Sequence, residues 1–242
     1  MLKDNRNCMN KLIVVTGGTK GIGRAILERF AQAGFDVATC ARNQNDLAAL
    51  QAEIEKQHNV KAFVHPADMS QLSQIKSFVS FIRSLGRPVE VLVNNAGYFI
   101  PGSVLDEPEG SLESMINSNV YSVYYTTRGL AKQMVASQSG HIFNMCSIAS
   151  IKAYPNGGSY AISKFALLGF SKVLREELKD KGIRVTAILP GATRTSSWDG
   201  VDLPDERFMK SEDVAETIFS AYSLSKRSVV EEILIRPQLG DI

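Results

Sequence analysis

Cationic runs are missing from this 242-residue chain: no stretch holds more than two consecutive Lys or Arg, and the net charge is +2. Such a surface offers little to a nucleic-acid backbone or an anionic membrane, so neither is expected as a partner. Cysteine is scarce and scattered, with only Cys8, Cys40 and Cys146, an odd number without metal-ligand spacing. That excludes a disulfide framework and gives no reason to expect a metal site. Cys40 and Cys146 fall in apolar strand patterns and read as buried thiols, which suits a reducing cytosol. No apolar run approaches the ~20 residues of a membrane span. Residues 1–10 are polar, lack the apolar core of a signal peptide and read as a loose tail. A soluble, cytoplasmic protein is expected. Linkers, internal repeats and low-complexity segments are also lacking, so residues 11–242 are expected to form one domain.

What the chain does contain is alternation. Leu12-Ile-Val-Val15 is a short apolar strand followed at once by Thr16-Gly-Gly-Thr-Lys-Gly-Ile-Gly23. Ile22, Ile26, Phe30 and Ala33 then recur at helical spacing until Gly34. Strand, glycine-rich turn and helix form the phosphate-binding unit of a doubly wound fold. Gly17, Gly21 and Gly23 allow backbone amides to approach a pyrophosphate, whose charge the helix N-terminus favours. The spacing differs from the commoner G-x-G-x-x-G, and the surrounding strand and helix supply the context.

Phe35 to Cys40 reads as a second strand, and its end selects the cofactor. NAD binding calls for an acidic side chain there to hold the ribose 2′-hydroxyl. This chain instead has Ala41, Arg42 and Asn43, with no carboxylate before Asp46, and Lys20 lies in the glycine loop. Two cations favour a 2′-phosphate, so NADP(H) is expected over NAD(H). A helix over 45–58 leads to a strand over 60–65. Asp68 follows, placed either to accept a bond from an adenine amine or to cap a helix beginning near Gln71. Strand four, 89–93, ends in Asn94-Asn95-Ala96-Gly97, small and amide residues that suit close passage of a cofactor. A long helix over 109–137 contains Asn117 and Asn119, locally unfavourable residues inside a helix.

The richest stretch runs from Ser147 to Lys164. The apolar run 140–146 ends beside Ser147, and Pro155, Gly157 and Gly158 break the chain before a long helix. On that helix Tyr160 and Lys164 lie four residues apart, on one face. A phenol with a pKa of about 10 is poorly matched to proton transfer at neutral pH. A neighbouring ammonium favours the phenolate, and a shift of ~3 units corresponds to roughly 4 kcal/mol. Ser147 is placed to hydrogen-bond a substrate oxygen as charge develops there. Tyr-x-x-x-Lys alone equally describes a solvated helix face. Strand six, 183–189, ends at Pro190-Gly191, followed by a polar loop over about 192–210, a helix over 213–223 and a last strand over 229–235.

Thr16 to Gly23, Asp68, Asn94 to Gly97, Asn119, Ser147, Tyr160-x-x-x-Lys164 and Pro190-Gly191 stand in one register. Together they resemble the short-chain dehydrogenase/reductase family over nearly the whole chain after residue 10. The resemblance implies a Rossmann-type, doubly wound, mostly parallel seven-stranded sheet in the order 3-2-1-4-5-6-7. It implies Tyr160 as general acid in reduction and base in oxidation, and Lys164 as the group that lowers its pKa and holds the nicotinamide ribose. Ser147 would orient the substrate carbonyl, and Asn119 would hold a relay water. Thr19, Ile22, Met69, Thr193 and Thr195 join the cofactor contacts, Thr195 toward the nicotinamide carboxamide.

Within the family the chain resembles bacterial sepiapterin reductase-like proteins, on Pro190 to Trp198 and the ending Val229 to Ile242. Tyr98, Phe99, Tyr154 and Trp198, with Phe208, then suit a flat ring, and Asp199 or Asp202 its amino-substituted edge. The same aromatics also suit any apolar pocket. The expected activity is NADPH-dependent reduction of a small carbonyl compound, possible substrates including a pterin side-chain ketone. A 3-oxoacyl reductase, a broad carbonyl or sugar dehydrogenase, and a non-catalytic NADPH sensor stand as alternatives. By analogy with the family, a homodimer or homotetramer is expected.

Overall fold

The computed structural model describes residues 10–198 and 200–242. Seven strands form one parallel sheet in the order β3-β2-β1-β4-β5-β6-β7. They are β1 (Leu12–Thr16), β2 (Asp36–Ala41), β3 (Ala62–Pro66), β4 (Val89–Asn94), β5 (Gly140–Met145), β6 (Ile183–Pro190) and β7 (Glu232–Ile235). The helices are α1 (Gly21–Gln32), α2 (Gln44–His58), α3 (Leu72–Ser84), α4 (Ser111–Ile116), α5 (Ser122–Ser137), α6 (Gly158–Leu178) and α7 (Ser211–Ser223).

The central strands read as unbroken apolar runs because both their faces are covered. Successive side chains of β1 go to opposite layers. Ile13 and Val15 join Phe30, Ile26, Val214 and Ile218, under α1 and α7. Leu12 and Val14 join Phe78, Ile82, Leu130, Met134 and Leu174, under α3, α5 and α6. In β4 the same division sends Val91 and Val93 one way and Leu92 the other. Among the described residues, no helix is long and apolar enough to cross a membrane.

Three elements differ from the sequence expectation. β3 ends on Pro66, one residue into what read as a loop; an edge strand tolerates a residue without an N–H. β7 is confined to Glu232–Ile235, because its only neighbour, β6, offers partners from Ala187 to Pro190. The expected continuous helix over 109–137 contains a π-helical turn at Asn117–Tyr121 between α4 and α5. Such a turn adds a residue to the helical repeat and re-aims the side chains around it.

The strand order reverses between β1 and β4, and in open α/β sheets the crevice beyond those carboxyl ends takes ligands. The glycine loop after β1 and Asn95 after β4 meet there.

Candidate active site

The glycine turn is held by side chains on both neighbouring strands. Thr16 Oγ1 accepts from the backbone amides of Asn95 (3.0 Å) and Ala96 (2.9 Å). Asn95 Nδ2 donates back to the carbonyls of Thr16 and Gly17, both at 3.0 Å. Thr39 Oγ1 accepts from Gly18 N at 3.0 Å and donates to Val15 O. Gly17 has φ +70°, and a Cβ on Gly23 would overlap Gly17 O and the Asn95 amide. α1 then starts without a side-chain cap and without an acid in its first turn. Its first N–H groups and the positive end of its dipole therefore suit a pyrophosphate. The residues present fit a nicotinamide dinucleotide on this observation.

At the end of β2, Asn43 caps α2 by accepting from Asn45 N and Asp46 N. Arg42 is exposed. Lys20 reaches the same corner, where its Nζ lies 3.6 Å from Asp46 Oδ2. Of the two cations expected there, one thus already faces a carboxylate. Asp68 does not cap α3: Oδ1 accepts from Ser70 N (2.9 Å) and Ser70 Oγ (2.8 Å), and the helix begins at Leu72. Met69 is buried in the α3 layer and Ile22 packs on the α1 layer, while Thr19 is half-buried in the turn.

Ser147, Tyr160 and Lys164 come together at the carboxyl end of β5. Ser147 is buried and opens a single 3-10 turn. Its Oγ accepts from Ala149 N, and its own N–H donates to Ser150 Oγ, each at 3.1 Å. Tyr160 lies in the first turn of α6, and Lys164 one turn later is buried. Lys164 Nζ donates to Met145 O at 2.7 Å and lies 5.6 Å from the Tyr160 ring centroid.

Burial pushes the Tyr160 phenol above its ordinary pKa, with the Ser147 hydroxyl pulling it down and Cys146 adding to the rise. This reverses the direction expected from the sequence, because removal from water disfavours the phenolate. Burial also brings Lys164 down to about 8, opposed by Cys146. The Cys146 thiol is raised by burial as well, and both Cys40 and Cys146 are free and buried.

Asn119 sits in the π-helical turn and acts as a brace. Its Oδ1 accepts from Tyr98 N and its Nδ2 donates to Tyr98 O, both at 3.1 Å, and to Ser163 Oγ at 3.0 Å. Ser163 Oγ in turn donates to Tyr160 O at 2.7 Å. A Cβ on Gly97 would come within 2.7 Å of Asn119 Oδ1. Sequence reading missed Ser150 and Ser163, and it included Thr16 in the glycine motif without giving it a role. Thr16, immediately before the glycines, was the one with a local signal.

Phe99 meets the Tyr160 ring edge-on at 4.7 Å. Tyr154 is close enough to Tyr160 that burial and the second phenol push it up to about 12. Tyr98 turns its hydroxyl to Ser114, and Trp198 packs against Phe208 with ring centroids 5.2 Å apart. Of the four expected wall residues, Phe99 is thus packed against Tyr160, and Tyr154 feels its charge. Asp202 is exposed, and Asp199 lies outside the described residues. Gly191 N donates to Ile235 O at 2.8 Å, and Thr193 Oγ1 donates to Gly191 O at 3.1 Å. The following loop brings Thr195 against the glycine turn, where a Cβ on Gly21 would lie 3.0 Å from Thr195 Cγ2. Among the described residues, no group of three or more His, Cys, Asp or Glu is arranged to hold a metal ion.

Known proteins show the same arrangement of chain. The family described as short chain dehydrogenase matches residues 11–204. A sepiapterin reductase of Chlorobaculum tepidum is 32% identical over 97% of this chain and 99% of its own. A diacetyl reductase, (S)-acetoin forming, of Staphylococcus epidermidis is 32% identical over 89% of this chain and 83% of its own. Among solved structures, an alcohol dehydrogenase of Thermococcus sibiricus complexed with 5-hydroxy-NADP superposes with a TM-score of 0.88. It is 26% identical and matches over 94% of this chain and 97% of its own.

Proposed function

This chain belongs to the short chain dehydrogenase family, and from that premise we propose that it is an NADP(H)-dependent carbonyl reductase with Tyr160 as its proton donor. The observation that carries this reading is the buried Lys164, whose ammonium lies 5.6 Å from the Tyr160 ring centroid, with Ser147 across the crevice. Bound NADPH would supply the hydride. Ser147 orients the carbonyl oxygen, and the phenol, kept protonated by burial, donates its proton to that oxygen. Lys164 then stabilises the phenolate left behind, in a site where burial strengthens the attraction. Asn119, Ser163 and Tyr98 hold the helix and loop that carry these groups. Met69, Asp68, Arg42, Lys20 and the glycine loop belong to the adenosine and pyrophosphate end. Thr193, Thr195 and Pro190 with Gly191 belong to the nicotinamide end. The absence of an acid from the end of β2 until Asp46 supports NADPH over NADH.

For the substrate, the Phe99 and Tyr154 wall and the similarity to a sepiapterin reductase over nearly the full length favour a ketone on a flat heterocycle. A small diketone is the second reading, favoured by the equal identity to a diacetyl reductase. Purified protein should oxidise NADPH with sepiapterin faster than with diacetyl or an acetoacetyl thioester, and NADH should be the poorer donor. Tyr160→Phe should lower turnover by roughly 100-fold or more; unchanged turnover would reject the mechanism. Preference for diacetyl would keep the mechanism and replace the substrate.

A homo-oligomer is part of the same reading. Tyr121, Tyr124, Ile162, Phe165 and Val173 leave large apolar surface exposed on and beside α5 and α6. Sedimentation should give a dimer or tetramer, and Phe165→Glu should dissociate it; a monomeric native protein would refute this part.

A further inference from the structure

α6 carries Tyr160 and Lys164, yet it starts without a cap of its own: Gly157 stands at the cap position and no side chain within the helix closes its amide end. The partner comes from 52 residues away. Glu107 Oε1 accepts from Ser159 N at 2.9 Å, and Glu107 Oε2 accepts from the Ser159 hydroxyl. Ser159 immediately precedes Tyr160.

The same segment is tied down a second time, by Gly102 N donating to Asn156 O at 3.0 Å. Between these ties the fit leaves no room. A Cβ on Gly158 would overlap Glu107 Oε1 and Gly102 O, and a Cβ on Gly102 would overlap the Glu107 side chain. The receiving turn is backbone of uncommon shape, with φ +61° at Asn156 and +33° at Gly158. Non-glycine residues enter that region rarely, so surrounding contacts must hold Asn156 there. Phe99, on the strap that Glu107 fastens, is the residue whose ring meets Tyr160 at 4.7 Å.

We propose that Glu107 is a positioning residue: it clasps the 98–110 strap to the amide end of α6 and so fixes the Tyr160 phenol against Phe99 and the mouth of the crevice. The carboxylate does not touch the reacting atoms. It satisfies two donors beside Tyr160, and it sets where the strap lies over the ring. The clasp stands on these contacts alone; its effect on turnover rests on Tyr160 being the proton donor.

The test compares Glu107→Ala, Glu107→Gln and, as a control on the exposed surface, Glu109→Ala. Amide hydrogen exchange is read over 98–110 and 157–161 in the protein without cofactor. Glu107→Ala should exchange about tenfold faster in both segments, while Glu107→Gln, which keeps an acceptor for Ser159 N, and Glu109→Ala should stay within roughly threefold of native. In ketone reduction, kcat/KM should fall roughly tenfold or more in Glu107→Ala and recover in Glu107→Gln, with NADPH affinity unchanged within about twofold. Unchanged exchange in Glu107→Ala overturns the clasp. Faster exchange with native kcat/KM leaves Glu107 a cap and overturns the positioning role. If native protein reduces no ketone, the reductase reading falls, and the exchange result still decides the clasp.

Discussion

One buried cation, Lys164, links stability to chemistry. Lys164 is 7% exposed and its pKa falls to about 8 through burial, well below the usual 10.5 of a lysine. Because the unfolded chain holds this proton more tightly, stability from this group rises with pH between about 8 and 10.5 and is lacking below that window. Lys164→Met, similar in length and uncharged, should therefore raise stability at pH 7 by about 2 kcal/mol while abolishing reduction. Chemical denaturation together with turnover checks both signs. The native enzyme's rate of reduction should decline as pH rises past about 8, where Lys164 becomes neutral and no longer supports the phenolate; a flat profile to pH 10 counts against the role.

Among the elements, the proposed function gives cofactor choice to the loops after β1 and β2. Neither loop presents an unpaired carboxylate: Asp46 already faces Lys20 at 3.6 Å, and Arg42 stands exposed beside it. A charge-assisted bond to a phosphate is worth about 1.5–3 kcal/mol. Arg42→Asp should thus lower kcat/KM with NADPH by roughly tenfold to 100-fold and narrow or invert its advantage over NADH. Equal kinetics of the variant with both cofactors, at native NADPH efficiency, would show that Arg42 does not contact the phosphate. The π-helical turn works at this scale too. It sets Asn119 against the Tyr98 backbone and the Ser163 side chain, joining the β4 loop to α6.

Across the whole molecule, the sheet is sensitive to acid at the end of β5 opposite the crevice. His141 in β5 is fully buried, stacked on Phe143 at 3.9 Å, with Nε2 2.7 Å from Thr186 Oγ1. Thr186 donates its own hydrogen to Val230 O at 2.6 Å, so Nε2 is the donating nitrogen and the neutral ring leaves Nδ1 without a partner. Burial, aided by Arg184, takes the imidazole down to about 2. The unfolded chain binds this proton near pH 6.5, so stability is present above that pH and is lost as pH falls toward 2, by about 1.4 kcal/mol per unit. Acid unfolding of His141→Gln should show a slope shallower by about one proton than native. The buried Asp36–Arg87 pair adds to the acid limb: despite burial, bonds from Lys61 N, Asn10 and Arg87 hold the Asp36 carboxyl below its usual range.

Short-range pattern by itself determined the alternation of strands and helices and put forward Ser147, Tyr160 and Lys164 as candidates, while the sheet order came with the family resemblance. Apolar runs at strand length, the glycine turn and the i, i+4 spacing are all local properties, legible one segment at a time. Tertiary structure decided what depends on segments meeting. The direction of the Tyr160 shift follows from burial, which no spacing of residues reports. Asn119 acquired its partners, and Asp68 its Ser70 contacts in place of a helix cap, only once loops had closed around them. Glu107 reaches Ser159 across 52 residues of chain, and nothing in its neighbourhood of sequence marks it. Local sequence sets which conformations are cheap; desolvation and long-range hydrogen bonds exist only after the chain has folded.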